Sequence, residues 1–197
     1  MSSLKMGTAT LATENAGSID ISHSAFPDNA VLKVYSVTFT GVTSTISQSK
    51  NFQPVGGSSS GNLTITTDTP ISSNSKYLLM AHVTHSISSS SNIIFRFYDD
   101  TGGANTAIEG ALSDPNGSSR VRGSFGPGHW STGPSTYPTN VSSMNHLYAP
   151  SSSTALTLSV KGALHDTTTH YYNRAIYAGD VDWMGDSVSN FTVMEIA

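Results

Sequence analysis

Apolar residues recur at every second position in one segment of this chain after another. No window of a dozen residues sustains the i, i+3, i+4 spacing of an amphipathic helix. Leu156, Leu158, Val160 and Leu164 alternate with Thr157, Ser159 and Lys161. Tyr35, Val37 and Phe39 share one face of an earlier segment, and Leu63 and Ile65 do so in the next. Tyr77, Leu79, Ala81 and Val83 line one face of a further strand whose other face holds Leu78 and Met80, which predicts a central place in a sheet. Ile93, Phe95 and Phe97 alternate with Asn92, Ile94, Arg96 and Tyr98. Intervals rich in Gly, Ser, Asn and Pro separate these runs. Eight to ten strands in about 165 residues, joined by uneven loops, predict an all-β fold: a two-sheet antiparallel jelly-roll sandwich rather than a short-turn meander.

Composition points the same way and excludes several functions. Ser and Thr make up roughly a quarter or more of the 197 residues, favouring strands through Thr and turns through Ser. Only 11% of residues are charged, so hydroxyls and amides carry solubility and like-charge repulsion between surfaces is weak, as suits a protein of an assembly. The net charge is -4 and the few cations are scattered, which argues against a nucleic-acid partner. No apolar stretch approaches the roughly 20 residues of a membrane span, and Met1-Ser-Ser-Leu-Lys5 lacks the apolar run of a secretory leader, so no membrane partner is expected. Cysteine is absent, which removes disulfides and thiolate metal sites.

Residues 1 to 30 carry a weak alternation through Leu4, Met6 and Leu11 and too little apolar surface for a domain; they are expected to form an extended N-terminal arm, with the sandwich over residues 31 to 197. At the other end, Phe191, Thr192, Val193, Met194 and Ile196 make a strand apolar on both faces, whose place is inside a sheet or against another subunit.

This closing strand, preceded by Asn173-Arg174 and an Asp-containing polar loop, resembles the C-terminal signature of small jelly-roll structural proteins of tailed, often marine, bacteriophages, which end in a domain like that of tumour necrosis factor. Lys76 to Thr84 after the Pro70-Ile-Ser-Ser-Asn-Ser75 hinge, and Gly117-Ser-Ser-Arg-Val-Arg-Gly123, match two further passages of that family in the right order. A longer insert from Gly126 to Pro138, and Ala149-Pro150, depart from it. The resemblance implies a virion protein made in a bacterial cytoplasm, trimeric about a threefold axis and attached to other virion proteins through its N-terminal segment. Under that reading it decorates the capsid or forms a short fibre or knob of head or tail.

Aromatic residues are the first functional candidates. Phe97, Tyr98, Tyr171, Tyr172 and Tyr177 are expected either to fill a trimer interface or to belong to the core. Glu195 stands on an otherwise apolar strand and needs a partner, for which Arg122 and Arg174 are the candidates for an oriented ion pair. His129, Trp130 and Tyr137 in the Gly126 to Pro138 insert could contact a partner protein or a host-surface glycan, the latter making the chain a receptor-binding tip. Ser residues abound, yet no Gly-x-Ser-x-Gly elbow or other catalytic motif occurs, so no enzyme and no cofactor are expected. Asp180, Asp182 and Asp186 are weak calcium candidates that lack EF-hand spacing, and no metal is expected. His82 and His85, three apart on a strand, should point to opposite faces. A hairpin at Thr167-Thr-Thr169 could instead bring His165 and His170 together.

Overall fold

The computed structural model describes residues 3–6, 9–15, 18–21, 27, 29–41, 43–44, 49–56, 62–87, 93–113, 122–125, 140–151, 153–164, 170–173 and 187–197. From residue 31 onward the chain forms two antiparallel sheets packed face to face, with only two single-turn 3₁₀ segments among the described residues. The first sheet joins β4 (Val31–Phe39), β14 (Ser189–Ile196), β8 (Lys76–Ile87) and β11 (Asn140–Tyr148). β8 is long enough to pair along one edge first with β14, through residues 76–82, and then with β13 (His170–Tyr172), through residues 85–87; β5 (Thr43–Ser44) pairs beyond β13.

The second sheet centres on β12 (Thr157–Leu164). β9 (Ile93–Asp99) and then β10 (Thr106–Ala107) lie on one side of it, and β6 (Ser49–Pro54) and β7 (Thr64–Thr66) share the other. Apart from the short β5, β10 and β13, each in the same sheet as a neighbour in sequence, the strands pass from one sheet to the other: β4 lies in the first, β6 and β7 in the second, β8 in the first, β9 in the second, β11 in the first, β12 in the second and β14 in the first. This alternation makes the sandwich a jelly roll. It places β14 between β4 and β8, so the last strand is interior to its sheet.

Alternation fills the space between the sheets. Tyr77, Leu79, Ala81 and Val83 of β8, with Phe191 and Val193 of β14, meet Ile93, Phe95 and Phe97 of β9 and Leu158 and Val160 of β12, all buried. Phe97 stacks on Phe191 with ring centroids 5.9 Å apart, and Phe125 lies across Phe95 and Phe97 at 5.2 and 5.5 Å. Each such ring, removed from water, contributes roughly 1.5–3 kcal/mol before entropy is counted. Where β12 passes beneath Tyr172 and Phe95 the chain has Gly162. A Cβ built there would stand 2.8 Å from the Tyr172 hydroxyl and 3.2 Å from the Phe95 ring. Gly162→Ala is expected to destabilise the fold by about 1–3 kcal/mol, read as an earlier chemical-denaturation midpoint with an unchanged slope.

Within the segment expected as an extended arm, the backbone folds back on itself. β1 (Ser3–Met6), β2 (Ala9–Asn15) and β3 (Ser18–Ile21) pair in order as a three-stranded antiparallel sheet. The alternation through Leu4, Met6 and Leu11 is the strand period, and the two-residue interval after each of the first two strands contains a glycine, as hairpins favour.

Candidate functional site

A strand face turned to water ordinarily carries polar side chains. The outer face of the first sheet is divided instead into an apolar and a polar half. Inward turns of Ser189, Phe191, Val193 and Glu195 along β14 leave Asn190, Thr192, Met194 and Ile196 outward, and the ladder aligns the first three of these with neighbours on β4, β8 and β11. Val34, Met194, Leu78 and Leu147 form one transverse rung, with Val34 57% and Leu147 52% exposed. Ile196 and the exposed Val31, paired with each other, extend the apolar surface, which ends at Lys76, the partner of Ile196 on β8.

The next rung is Ser36, Thr192, Met80 and Asn145, and the one after it Thr38, Asn190, His82 and Ser143. Ser36 and Thr192 hydroxyls lie 3.2 Å apart, and His82 Nδ1 lies 3.0 Å from Ser143 Oγ. Over this polar half is an open depression of about 640 Å³, lined by Met80, His82, Ser143, Asn145, Asn190 and Thr192 among others. None of the side chains in these three rungs is an acid, a lysine or an arginine.

The described aromatic candidates do not share one surface. Phe97 and Tyr172 are interior, on β9 and β13. Tyr98 emerges on the opposite side of β9 and is buried there by Phe52, whose ring is 5.9 Å away, and by Lys161, whose ammonium lies 4.6 Å from the phenol ring. Tyr171 is half-buried on β13. Consecutive strand residues face opposite ways, so neither Phe97 with Tyr98 nor Tyr171 with Tyr172 can build a single contact face. Of the two roles considered, Phe97 and Tyr172 hold the core one. Lys161 is itself fixed by Asp100 Oδ1 at 2.7 Å and Asn105 Oδ1 at 2.6 Å, while Ser159 donates to Asp100 Oδ2 at 2.7 Å.

Arg122 does not reach Glu195. Its Nη1 meets Glu109 Oε2 at 2.7 Å and its Nε donates to the Ser113 carbonyl, in an exposed pair worth about 0–1 kcal/mol. Glu195 is fully buried, and its Oε1 accepts from the Ile71 backbone N–H at 2.6 Å and from the Ser75 hydroxyl at 2.7 Å. Two neutral donors of the Pro70–Ser75 turn thus hold Oε1, Lys33 of β4 stands across the ladder from Glu195, and Arg174, the other candidate partner, lies outside the described residues.

His82 and His85 do face opposite ways, His82 outward and His85 fully buried. Tyr177, Arg174, His129, Trp130, Tyr137, Asp180, Asp182, Asp186 and His165 lie outside the described residues.

Sequence reasoning missed the part played by Asn173. It is fully buried in the left-handed region at φ 58°. Its Nδ2 donates to the carbonyls of Phe39 at 2.7 Å and Gly41 at 3.1 Å, and its Oδ1 accepts from Ser189 Oγ at 2.6 Å. Ser189 Oγ in turn accepts from the Thr84 N–H at 3.0 Å. One carboxamide thus ties the end of β4 and the start of β14 to β13. The one available signal was its position just after a short strand, where asparagine tolerates positive φ. No protein-family model matches this chain, and no curated protein does.

Proposed function

We propose that this chain is a non-enzymatic structural protein of a tailed-phage virion, trimeric through the outer face of its first sheet. It decorates the capsid or forms a short knob or fibre, and its N-terminal segment fixes it to the particle. The observation that carries the reading is the apolar rung of Val34, Met194, Leu78 and Leu147, which crosses a sheet from edge to edge on its water-facing side. Contiguous apolar surface of this kind favours association. The three rungs themselves carry no ionic side chain, Lys76 lying beyond them beside Ile196, so identical rungs approach one another with little like-charge penalty, although each chain carries a net charge of -4. The jelly-roll framework and the resemblance of the closing strand to phage proteins support the same reading.

Two results test it. Val34→Asp combined with Leu147→Asp places carboxylates at both ends of the rung, on half-exposed residues whose side chains lie outside the core. The variant is expected to keep its circular-dichroism spectrum while its apparent association constant falls at least about a hundredfold, since burying unpaired charges at a contact costs several kcal/mol. In intact particles, copies on the head in a regular lattice are expected from decoration, and a small cluster at head or tail from a knob. Binding of the isolated chain to a glycan array, lost on Trp130→Ala, would instead favour a receptor-binding tip.

A further inference from the structure

Two imidazoles are enclosed within the sandwich. His85 belongs to the stretch of β8 beyond the β14 ladder, His170 opens β13, and both are fully buried with ring centroids 5.6 Å apart. His85 Nε2 lies 2.9 Å from Ser142 Oγ on β11. Neither ring nitrogen of His170 has a hydrogen-bond partner among the described residues; the ring instead meets Tyr172 edge-on at 4.6 Å. The Tyr172 hydroxyl, above Gly162 of β12, also lacks a partner among them. Phe95 of β9 closes the cluster, 5.3 Å from the His85 ring and 6.4 Å from that of Tyr172.

The titratable groups facing His170 among the described residues are therefore His85 of β8 and Tyr172 of its own strand. Around them, His85 meets the Ser142 hydroxyl of β11 and Phe95 of β9, and Tyr172 lies over Gly162 of β12; among the described residues none of these contacts supplies a carboxylate to receive an imidazolium. Burial, and after it the neighbouring His85, hold the His170 imidazole well below its ordinary range.

We infer that β13 is an acid-released latch: protonation of this enclosed pair frees β13 and the Asn173 hub behind it, while the ladder between β9 and β12 stays paired. Release is local because β13 is held over only three residues by β8 and two by β5. It carries away the carboxamide that binds Phe39, Gly41 and Ser189, so the junction of β4 and β14 opens with it.

The sign follows from which state accepts the proton. The closed state holds His170 neutral, whereas the open state protonates near the ordinary value of about 6.5. Closure is therefore fully favoured above that pH and weakens as pH falls through and below it, by about tenfold in the open population per pH unit for each histidine that stays neutral when closed.

Hydrogen exchange of the full chain between about pH 7.5 and pH 5, corrected for intrinsic exchange rates, tests this. Protection across β13 and its partners in β8 should fall by at least about tenfold per pH unit below 6.5, that of β9 and β12 should hold, and His170→Phe should reduce the slope by about one tenfold step per pH unit. Constant protection at β13, an equal loss in β9 and β12, or an unchanged slope in His170→Phe would overturn the latch. If His170→Phe does not fold, the imidazole NMR signals of the unaltered chain decide. A His170 ring that titrates like an exposed histidine while β13 stays protected contradicts the inference; one that changes only as protection is lost supports it.

Discussion

Glu195→Ala lowers the stability of the sandwich by about 3 kcal/mol, a fall of roughly 6–12 °C in the thermal midpoint of a domain this size. The carboxyl is fully buried, and its Oε1 is the acceptor for both the Ile71 N–H and the Ser75 hydroxyl. Truncation leaves those two donors without an acceptor and opens a cavity beneath the Pro70–Ser75 turn, and hydrogen bonds to a carboxylate are worth about 1.5–3 kcal/mol each. Glu195→Gln keeps an acceptor in the Oε1 position and is expected to lose less than half as much. Urea denaturation of both variants checks the ranking. An alanine variant within about 0.5 kcal/mol of the parent would mean that Glu195 is merely accommodated.

Asn173→Ala has a comparable effect, about 3 kcal/mol, for two separable reasons. It removes the carboxamide bonded to Phe39, Gly41 and Ser189, and it places a Cβ-bearing residue with no compensating side-chain bond at φ 58°, where alanine is disfavoured by roughly 1–2 kcal/mol. Asn173→Gly relieves the backbone term alone and should lie between alanine and the parent. Asn173→Asp keeps the acceptor for Ser189 but sets a carboxylate against two carbonyl oxygens, and should be the worst of the three. The order Asn, Gly, Ala, Asp in denaturation midpoint is the expected result; Gly and Ala alike would leave the positive φ without a role.

These two residues also mark where the sequence stops being legible. The inward faces of β8, β9 and β12 could be read from residues alone, because a strand buried on one side must alternate, and Tyr77 to Val83, Ile93 to Phe97 and Leu156 to Val160 do so without interruption, whereas β11, which turns Ser142 and His146 inward, carries no such signal. Leu78 and Met80 on the second face of β8 rightly signalled a strand paired on both sides. Which residues of other strands join them is a matter of register, and register is fixed by pairings between residues far apart in the chain, so the rung of Val34, Met194, Leu78 and Leu147 could not be foreseen.

Phe97 and Tyr98 were grouped by residue type although the pleat, already visible in the alternation of this strand, sets them on opposite faces. Glu195 was recognised as needing a partner, but its donors are a backbone N–H and a serine more than a hundred residues earlier, and neither residue type announces such a role. Asn173 was hidden for the opposite reason: its partners are backbone carbonyls, which every sequence supplies at every position.

The shared apolar face is the claim on which the rest of the functional account turns, and sedimentation equilibrium of the unaltered chain tests it most directly. A species of about three times 20.7 kDa at micromolar concentration, reduced to one of 20.7 kDa by the Val34→Asp and Leu147→Asp pair, is the predicted result. A single 20.7 kDa species for the unaltered chain over the whole concentration range would contradict it.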